Sequence, residues 1–158
     1  MAMGAVDGRL QELKIALPAA AAPVANYVPY VRTGSLVVVS GQICLGLDGK
    51  IADAHKGKLG REVSLEQGQE AARLCAVNVL AQMRAALGDL DAIVRCVRLG
   101  GFINADPAFA ALAHVMNGAS DLMVAVLGDK GRHARSTIGV AELPLDAAVE
   151  VEAMFEVR

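Results

Sequence analysis

Residues 134–157 read ARSTIGVAELPLDAAVEVEAMFEV and contain most of what the sequence reveals about the fold. Residues 134–140 have the pattern of a short strand, and residues 143–146 supply the proline and aspartate of a turn. Apolar and acidic residues then alternate, which is typical of a strand with one face on the core. If the two strands pair as a hairpin, Arg135 and Glu150 lie on the same small sheet.

The composition of the whole chain indicates one domain that is rich in small apolar residues. The chain has 158 residues, of which 54% are hydrophobic and only 3% aromatic, so the core must consist of Ala, Val and Leu. This apolar share exceeds that of an ordinary globular chain. We therefore expect additional burial at contacts between subunits.

Charge and cysteine content exclude several classes of protein. The net charge is -2 and no basic block is present, so we expect no nucleic-acid partner. Cys44, Cys75 and Cys96 form no CxxC pair, which favours reduced thiols over a disulfide framework or a zinc site. No apolar run is long enough to span a membrane. We expect a cytoplasmic protein.

The N-terminal part differs in composition from the rest. Leu10, Leu13 and Leu17 recur at helical spacing, which predicts a helix over residues 9–17 that ends at Pro18. An Ala/Pro-rich linker follows. We therefore divide the chain into an N-terminal helix and linker, residues 1–26, and a main domain, residues 27–158.

The main domain is predicted to contain strands and two long helices in alternation. The predicted elements are strands at 27–31 and 36–40, a helix at 64–87, a strand at 93–103, a helical region at 106–127 and the two C-terminal strands. The β-branched run at 36–39 suggests a strand buried on both faces. A long polar loop, residues 46–62, is of the kind that borders functional sites. This order predicts an α+β fold, a mixed β-sheet with helices packed on one face.

Two motifs together resemble a known family. Ser40-Gly41-Gln42 follows an apolar strand, and the C-terminal stretch has the pattern Ala-Arg-Ser-x-x-x-Val-Ala-x-Leu-Pro followed by Val-Glu-Val-Glu-Ala. Over residues 27–158 the chain resembles the reactive intermediate deaminase family (RidA or YjgF-like, also called L-PSP endoribonuclease-like). The resemblance implies a homotrimer with sheets inward and active sites between adjacent subunits. It also implies hydrolysis of enamine and imine carboxylates, such as 2-aminoacrylate, to 2-keto acids and ammonia, without a metal or organic cofactor.

The resemblance assigns roles residue by residue. Arg135 matches the arginine that binds the substrate carboxylate, and Glu150 matches the glutamate that handles water. Tyr27 and Ser40 match pocket residues upstream. Asn117 matches a pocket asparagine if the alignment is shifted by one residue.

Two positions near the arginine depart from the family pattern. Thr137 stands where a cysteine is frequent, and His133 stands where proline is usual. Thr137 remains a candidate substrate-binding residue, although a hydroxyl without an activating base is a weak nucleophile. His133 is interpreted either as a surface residue or as a group at the mouth of the site.

Other interpretations of these residues stay open. Arg135 could form a structural ion pair with Glu150 or Glu152, and Asn117 could cap a helix. Tyr27 could be an interface aromatic. A non-catalytic protein of the same fold, either binding small carboxylates or regulatory, is the alternative function, and RNA cleavage is a third hypothesis.

Overall fold

The computed structural model describes residues 3–158. Its three helices are α1 (Ala5–Glu12), α2 (Leu65–Leu87) and α3 (Leu112–Leu127). Its five strands are β1 (Tyr30–Thr33), β2 (Leu36–Ile43), β3 (Ile93–Asn104), β4 (Ala134–Val140) and β5 (Val149–Val157). The order of helices and strands along the chain is the predicted one, and the fold class is α+β.

The five strands form one mixed sheet in the order β1-β2-β5-β3-β4. β3 pairs antiparallel with β5 and parallel with β4. The C-terminal strands therefore do not form a hairpin, because β3 lies between them. Residues 141–148 carry the chain across β3, and the buried side chain of Asn104 anchors this connection by donating hydrogen bonds to Glu142 and Asp146.

Local sequence signals define both ends of helix α2. The Ser64 side chain accepts a hydrogen bond from the Gln67 backbone N–H, and the Gln67 side chain accepts one from the Ser64 N–H. This capping box satisfies two N–H groups that the first turn would otherwise leave unpaired. Gly88, with a positive φ of 74°, ends the helix as predicted.

The core lies between the helices and one face of the sheet. In β5 the odd-numbered residues are buried and the even-numbered ones are half-buried, as the alternation predicted. In β2, Val37 and Val39 are buried, whereas Val38 is 41% exposed. The prediction that this strand is buried on both faces is therefore wrong for the single chain, because helices cover only one face of the sheet. We call the uncovered side the open face.

Three boundaries differ from the predicted ones. The first helix ends at Glu12 rather than near residue 17, because Lys14 adopts a positive φ of 55°. The third helix begins at Leu112, since the Asp106 side chain caps a local turn by accepting from the Ala108 N–H. The first strand begins three residues later than predicted, at Tyr30.

The N-terminal segment packs against the main domain. Leu10 is buried in the common core, and the backbone N–H groups of Ala5 and Val6 donate to the Asp91 carboxylate. Gln82 on α2 donates to the Ala21 carbonyl and so holds the linker. The division at residue 27 remains a prediction from composition. Within residues 3–158, no helix is both long and apolar enough to cross a membrane.

Candidate functional site

Arg135 lies near the start of the edge strand β4, and its side chain points to the helix-covered face. Its strand neighbour is Leu99, which is fully buried beneath the helices. The Arg135 Nη1 donates to Asn117 Oδ1 at 2.9 Å and to Ser120 Oγ at 3.1 Å, and Nη2 donates to the Ala113 carbonyl at 3.3 Å. All three acceptors belong to α3.

This arrangement leaves part of the Arg135 guanidinium free to bind a ligand. A guanidinium has five N–H groups, and three of them donate to α3. Within residues 3–158, the Nε–H and one Nη2–H have no acceptor. Two donors of this kind can hold a carboxylate by two charge-assisted hydrogen bonds. The arginine does not form the ion pair with Glu150 or Glu152 that the sequence left open, since Glu152 pairs with Arg98 instead.

Glu150 lies on β5 with its side chain on the open face. Its strand neighbours are Ile43 and Phe102, both half-buried. The carboxylate lies over Gly41, where a Cβ would be only 2.0 Å from Glu150 Oε1. The Ser-Gly-Gln motif therefore requires glycine at its centre, because any side chain at position 41 would displace the Glu150 carboxylate.

The surroundings of Glu150 disfavour its charged form. Burial, and after it the neighbouring Glu152 carboxylate, raises the pKa of Glu150 above its ordinary value. A carboxyl group with a raised pKa is better suited to accept and return a proton near neutral pH.

Ser40 and Tyr27 belong to the same corner as Glu150. The Ser40 hydroxyl donates to the Val28 carbonyl at 2.7 Å, and its N–H donates to the Pro29 carbonyl. These bonds fix the segment that carries Tyr27, whose side chain is 52% exposed. Ser40 therefore has a positioning role in the single chain.

The predicted site residues thus fall into two groups. The arginine cluster consists of Arg135 and Asn117, joined by Ser120. The glutamate cluster consists of Glu150, Gly41, Ser40 and Tyr27. Arg135 and Glu150 lie on opposite faces of the sheet, with β3 between β4 and β5, so about 10 Å separates their backbones. One chain does not bring Arg135 and Glu150 together around one small molecule.

Thr137 points to the same face as Arg135 but is deeper. Its hydroxyl oxygen is buried and has no hydrogen-bond partner among the residues that the structure describes. Its strand neighbour is Gly101, where a Cβ would be 2.5 Å from the Met116 sulfur. The side chain of Thr137 therefore faces α3, and its role in binding stays a prediction.

Ser120, which accepts a hydrogen bond from the arginine, was not singled out from the sequence. Ser120 follows Asn117 by three residues on α3, a spacing that places both side chains on one face of the helix. His133, which the sequence placed either on the surface or at the mouth of the site, contacts Ser120. Among residues 3–158, no group of three or more His, Cys, Asp or Glu side chains is placed to hold a metal ion.

Comparison with known proteins establishes the family. The family model described as "YjgF/chorismate mutase-like, putative endoribonuclease" matches residues 7–157. The chain belongs to this family, which confirms the resemblance found from the arginine and Ser-Gly-Gln motifs.

Individual relatives agree with this assignment. Protein TCP17 of Trypanosoma cruzi is 49% identical over 159 residues, which cover 100% of this chain and 98% of that protein. The solved structure of Atu1372, a protein of unknown function from Agrobacterium tumefaciens, is 48% identical with a TM-score of 0.90 and covers 98% of this chain and 93% of that one. TdcF of E. coli, solved with bound serine, is 29% identical with a TM-score of 0.59 over 90% of this chain and 93% of that one.

Proposed function

We propose that this protein hydrolyses small imine and enamine carboxylates to 2-keto acids and ammonia, at a site that two protomers build together. The observation that carries the proposal is the Arg135 guanidinium, which α3 holds by three hydrogen bonds while two of its donors have no acceptor in the part of the chain that the structure describes. A relative, TdcF, binds serine, a small molecule with a carboxylate. Binding of the substrate carboxylate by Arg135 would fix the C=N carbon, which is catalysis by positioning.

Glu150 supplies the proton transfers in this proposal. The carboxylate takes a proton from a water molecule as the oxygen forms a bond to the iminium carbon, and the C=N π electrons pass to nitrogen. Glu150 then returns this proton to the nitrogen and takes the proton of the carbinol hydroxyl as the C–N bond breaks. Ammonia leaves, the carbinol oxygen becomes the keto oxygen, and the remaining proton passes from Glu150 to the ammonia or to solvent. An iminium carbon is already electrophilic, so a weak, well-placed base is sufficient.

A second protomer is needed because the arginine and glutamate clusters lie on opposite faces. The open face carries exposed apolar side chains, with Val31 at 52%, Val38 at 41% and Ile138 at 50% exposure. Exposed aliphatic side chains on one sheet face favour burial against another copy of the chain. We propose a homotrimer with sheets inward, in which the edge strand β4 of one protomer faces the open face of the next.

The activity is tested with purified protein and 2-iminopropionate. We expect accelerated release of pyruvate and ammonia, and loss of this rate in Arg135→Ala with the protein still folded. Arg73→Ala is the matched control, because it removes the same charge from a partly exposed ion pair on α2. If several imino acids show no acceleration over buffer but 2-oxobutyrate binds in calorimetry, a non-catalytic carboxylate-binding protein replaces the proposal.

The two-protomer site is tested by complementation. Arg135→Ala and Glu150→Gln are each expected to be inactive. Refolding an equal mixture would then restore about a quarter of the sites in a cyclic assembly, because each site needs one intact residue from each neighbour. A mixture that stays inactive, while native mass spectrometry shows that mixed trimers have formed, would place both residues in the same chain's site.

A further inference from the structure

His133 connects the loop before β4 to the arginine cluster. Its Nδ1 lies 2.6 Å from the Gly131 carbonyl oxygen, and its Nε2 lies 2.9 Å from Ser120 Oγ. Ser120 Oγ in turn accepts from Arg135 Nη1 at 3.1 Å. A continuous chain of hydrogen bonds therefore runs from a backbone carbonyl to the guanidinium.

The direction of each hydrogen bond follows from the groups involved. A carbonyl oxygen only accepts, so His133 Nδ1 carries the proton that points to Gly131. In the neutral imidazole, Nε2 then has a lone pair and accepts from the Ser120 hydroxyl. With its proton directed at His133, the Ser120 oxygen presents its lone pairs to Arg135.

The backbone around this chain of hydrogen bonds is firmly held. A Cβ on Gly131 would be 2.2 Å from the Met123 carbonyl oxygen, so the loop lies directly against the backbone of α3. A Cβ on Gly118 would likewise be 2.0 Å from the Gln69 carbonyl oxygen, which shows how closely α3 lies against α2. The carbonyl that orients His133 is therefore fixed relative to the helix that carries Ser120.

We infer that His133 and Ser120 are positioning residues for Arg135. Together with Asn117 Oδ1, the Ser120 oxygen occupies both N–H groups of Nη1. The guanidinium then cannot rotate freely, and its Nε–H and remaining Nη2–H keep one direction toward a bound carboxylate. This inference rests on the proposed function only for the identity of that carboxylate.

Four variants separate the hydrogen bonds from the bulk of the side chains. Ser120→Ala removes the hydroxyl, and Ser120→Thr keeps it. In His133→Asn the amide reaches the position of Nδ1, which keeps the contact with Gly131 but not the one with Ser120. In His133→Gln the amide reaches the position of Nε2, where its oxygen still accepts from Ser120.

The first readout needs no ligand. Nitrogen-15 NMR of the Arg135 guanidinium, assigned with Arg135→Lys, reports how fast the Nη groups rotate. We expect slow rotation and separate Nη–H signals in the wild type, His133→Gln and Ser120→Thr, and averaged signals in Ser120→Ala and His133→Asn. Unchanged signals in these last two variants, with the fold intact by circular dichroism, would overturn the inference.

The second readout is binding of 2-oxobutyrate by calorimetry. Loss of one hydrogen bond that orients the arginine should weaken binding by about fivefold in Ser120→Ala and His133→Asn, with rescue in the Thr and Gln variants. Equal weakening in His133→Gln and His133→Asn would overturn the inference. If the wild type binds no keto acid while the NMR signals change as expected, the positioning role stands and the proposed function fails.

Discussion

Replacing Gly41 with alanine tests where the Glu150 carboxylate lies. The added Cβ would be 2.0 Å from Glu150 Oε1 and 2.9 Å from its carboxyl carbon, whereas real Cβ contacts do not come below 3.0 Å. The carboxylate must therefore move by roughly 1 Å or more. A displacement of about 1 Å from the productive geometry can lower a rate by about 100-fold.

The fold should tolerate this substitution. Gly41 does not have a positive φ, so alanine fits its backbone, and the group it meets is the end of a flexible side chain. Where the backbone is compatible, a Gly-to-Ala change stabilises a protein by about 0.4–1 kcal/mol. Displacement of the Glu150 side chain by the new Cβ should offset part of this gain in stability.

The assay compares kcat for 2-iminopropionate hydrolysis with the binding of 2-oxobutyrate. We expect kcat of Gly41→Ala to fall by about 100-fold, with binding nearly unchanged because Arg135 is untouched. Gly139→Ala is the matched strand control, since its Cβ would meet only Leu112 and Ala105 at 3.5 Å or more. A folded Gly41→Ala protein with full activity would refute the assignment of Glu150 as the proton-transfer group.

Three further predictions concern stability and thiol reactivity. The pKa of Glu150 is raised in the folded state, so ionisation of this carboxyl group lowers the free energy of unfolding as pH rises. In urea unfolding, Glu150→Gln should therefore be more stable than the wild type at pH 7 but not near pH 4. An equal gain in stability at both pH values would contradict this. Gly118→Ala should lower the free energy of unfolding in urea by about 3 kcal/mol, because its Cβ would be 2.0 Å from the Gln69 backbone oxygen. In the control variant Gly8→Ala, the new Cβ meets only a methyl group of Met3 at 3.8 Å, so this change should not destabilise the protein. Burial raises the pKa of the Cys75 thiol well above its usual range. Iodoacetamide should therefore alkylate Cys75 only after unfolding, as measured by mass spectrometry. Labelling of Cys75 in the native protein would contradict its burial.

Local elements could be predicted because their causes are local. The capping box at Ser64 and Gln67 and the glycine at position 88 define the ends of α2 without help from the rest of the chain. The alternation in β5 predicted which of its residues are buried. Asn117, which the family resemblance matched to a pocket residue, accepts a 2.9 Å hydrogen bond from Arg135 in the structure.

Features that depend on the pairing of strands distant in sequence could not be predicted. A turn at 143–146 is equally compatible with a hairpin and with a connection across β3, and only the parallel pairing of β3 with β4 decides between them. That pairing joins residues far apart in sequence, and parallel strands need a long crossover connection, so no short turn specifies which strands pair.

The sequence by itself determined the α+β class, the family and the capped second helix, and it singled out Arg135 and Glu150 as candidate site residues. Only the tertiary structure decided that these two side chains lie on opposite faces of the sheet, and that hydrogen bonds link His133 through Ser120 to the guanidinium. The physical reason is that side chains alternate between the two faces of a strand. Which face each one joins depends on strand order and register, and these are set by packing of the whole chain.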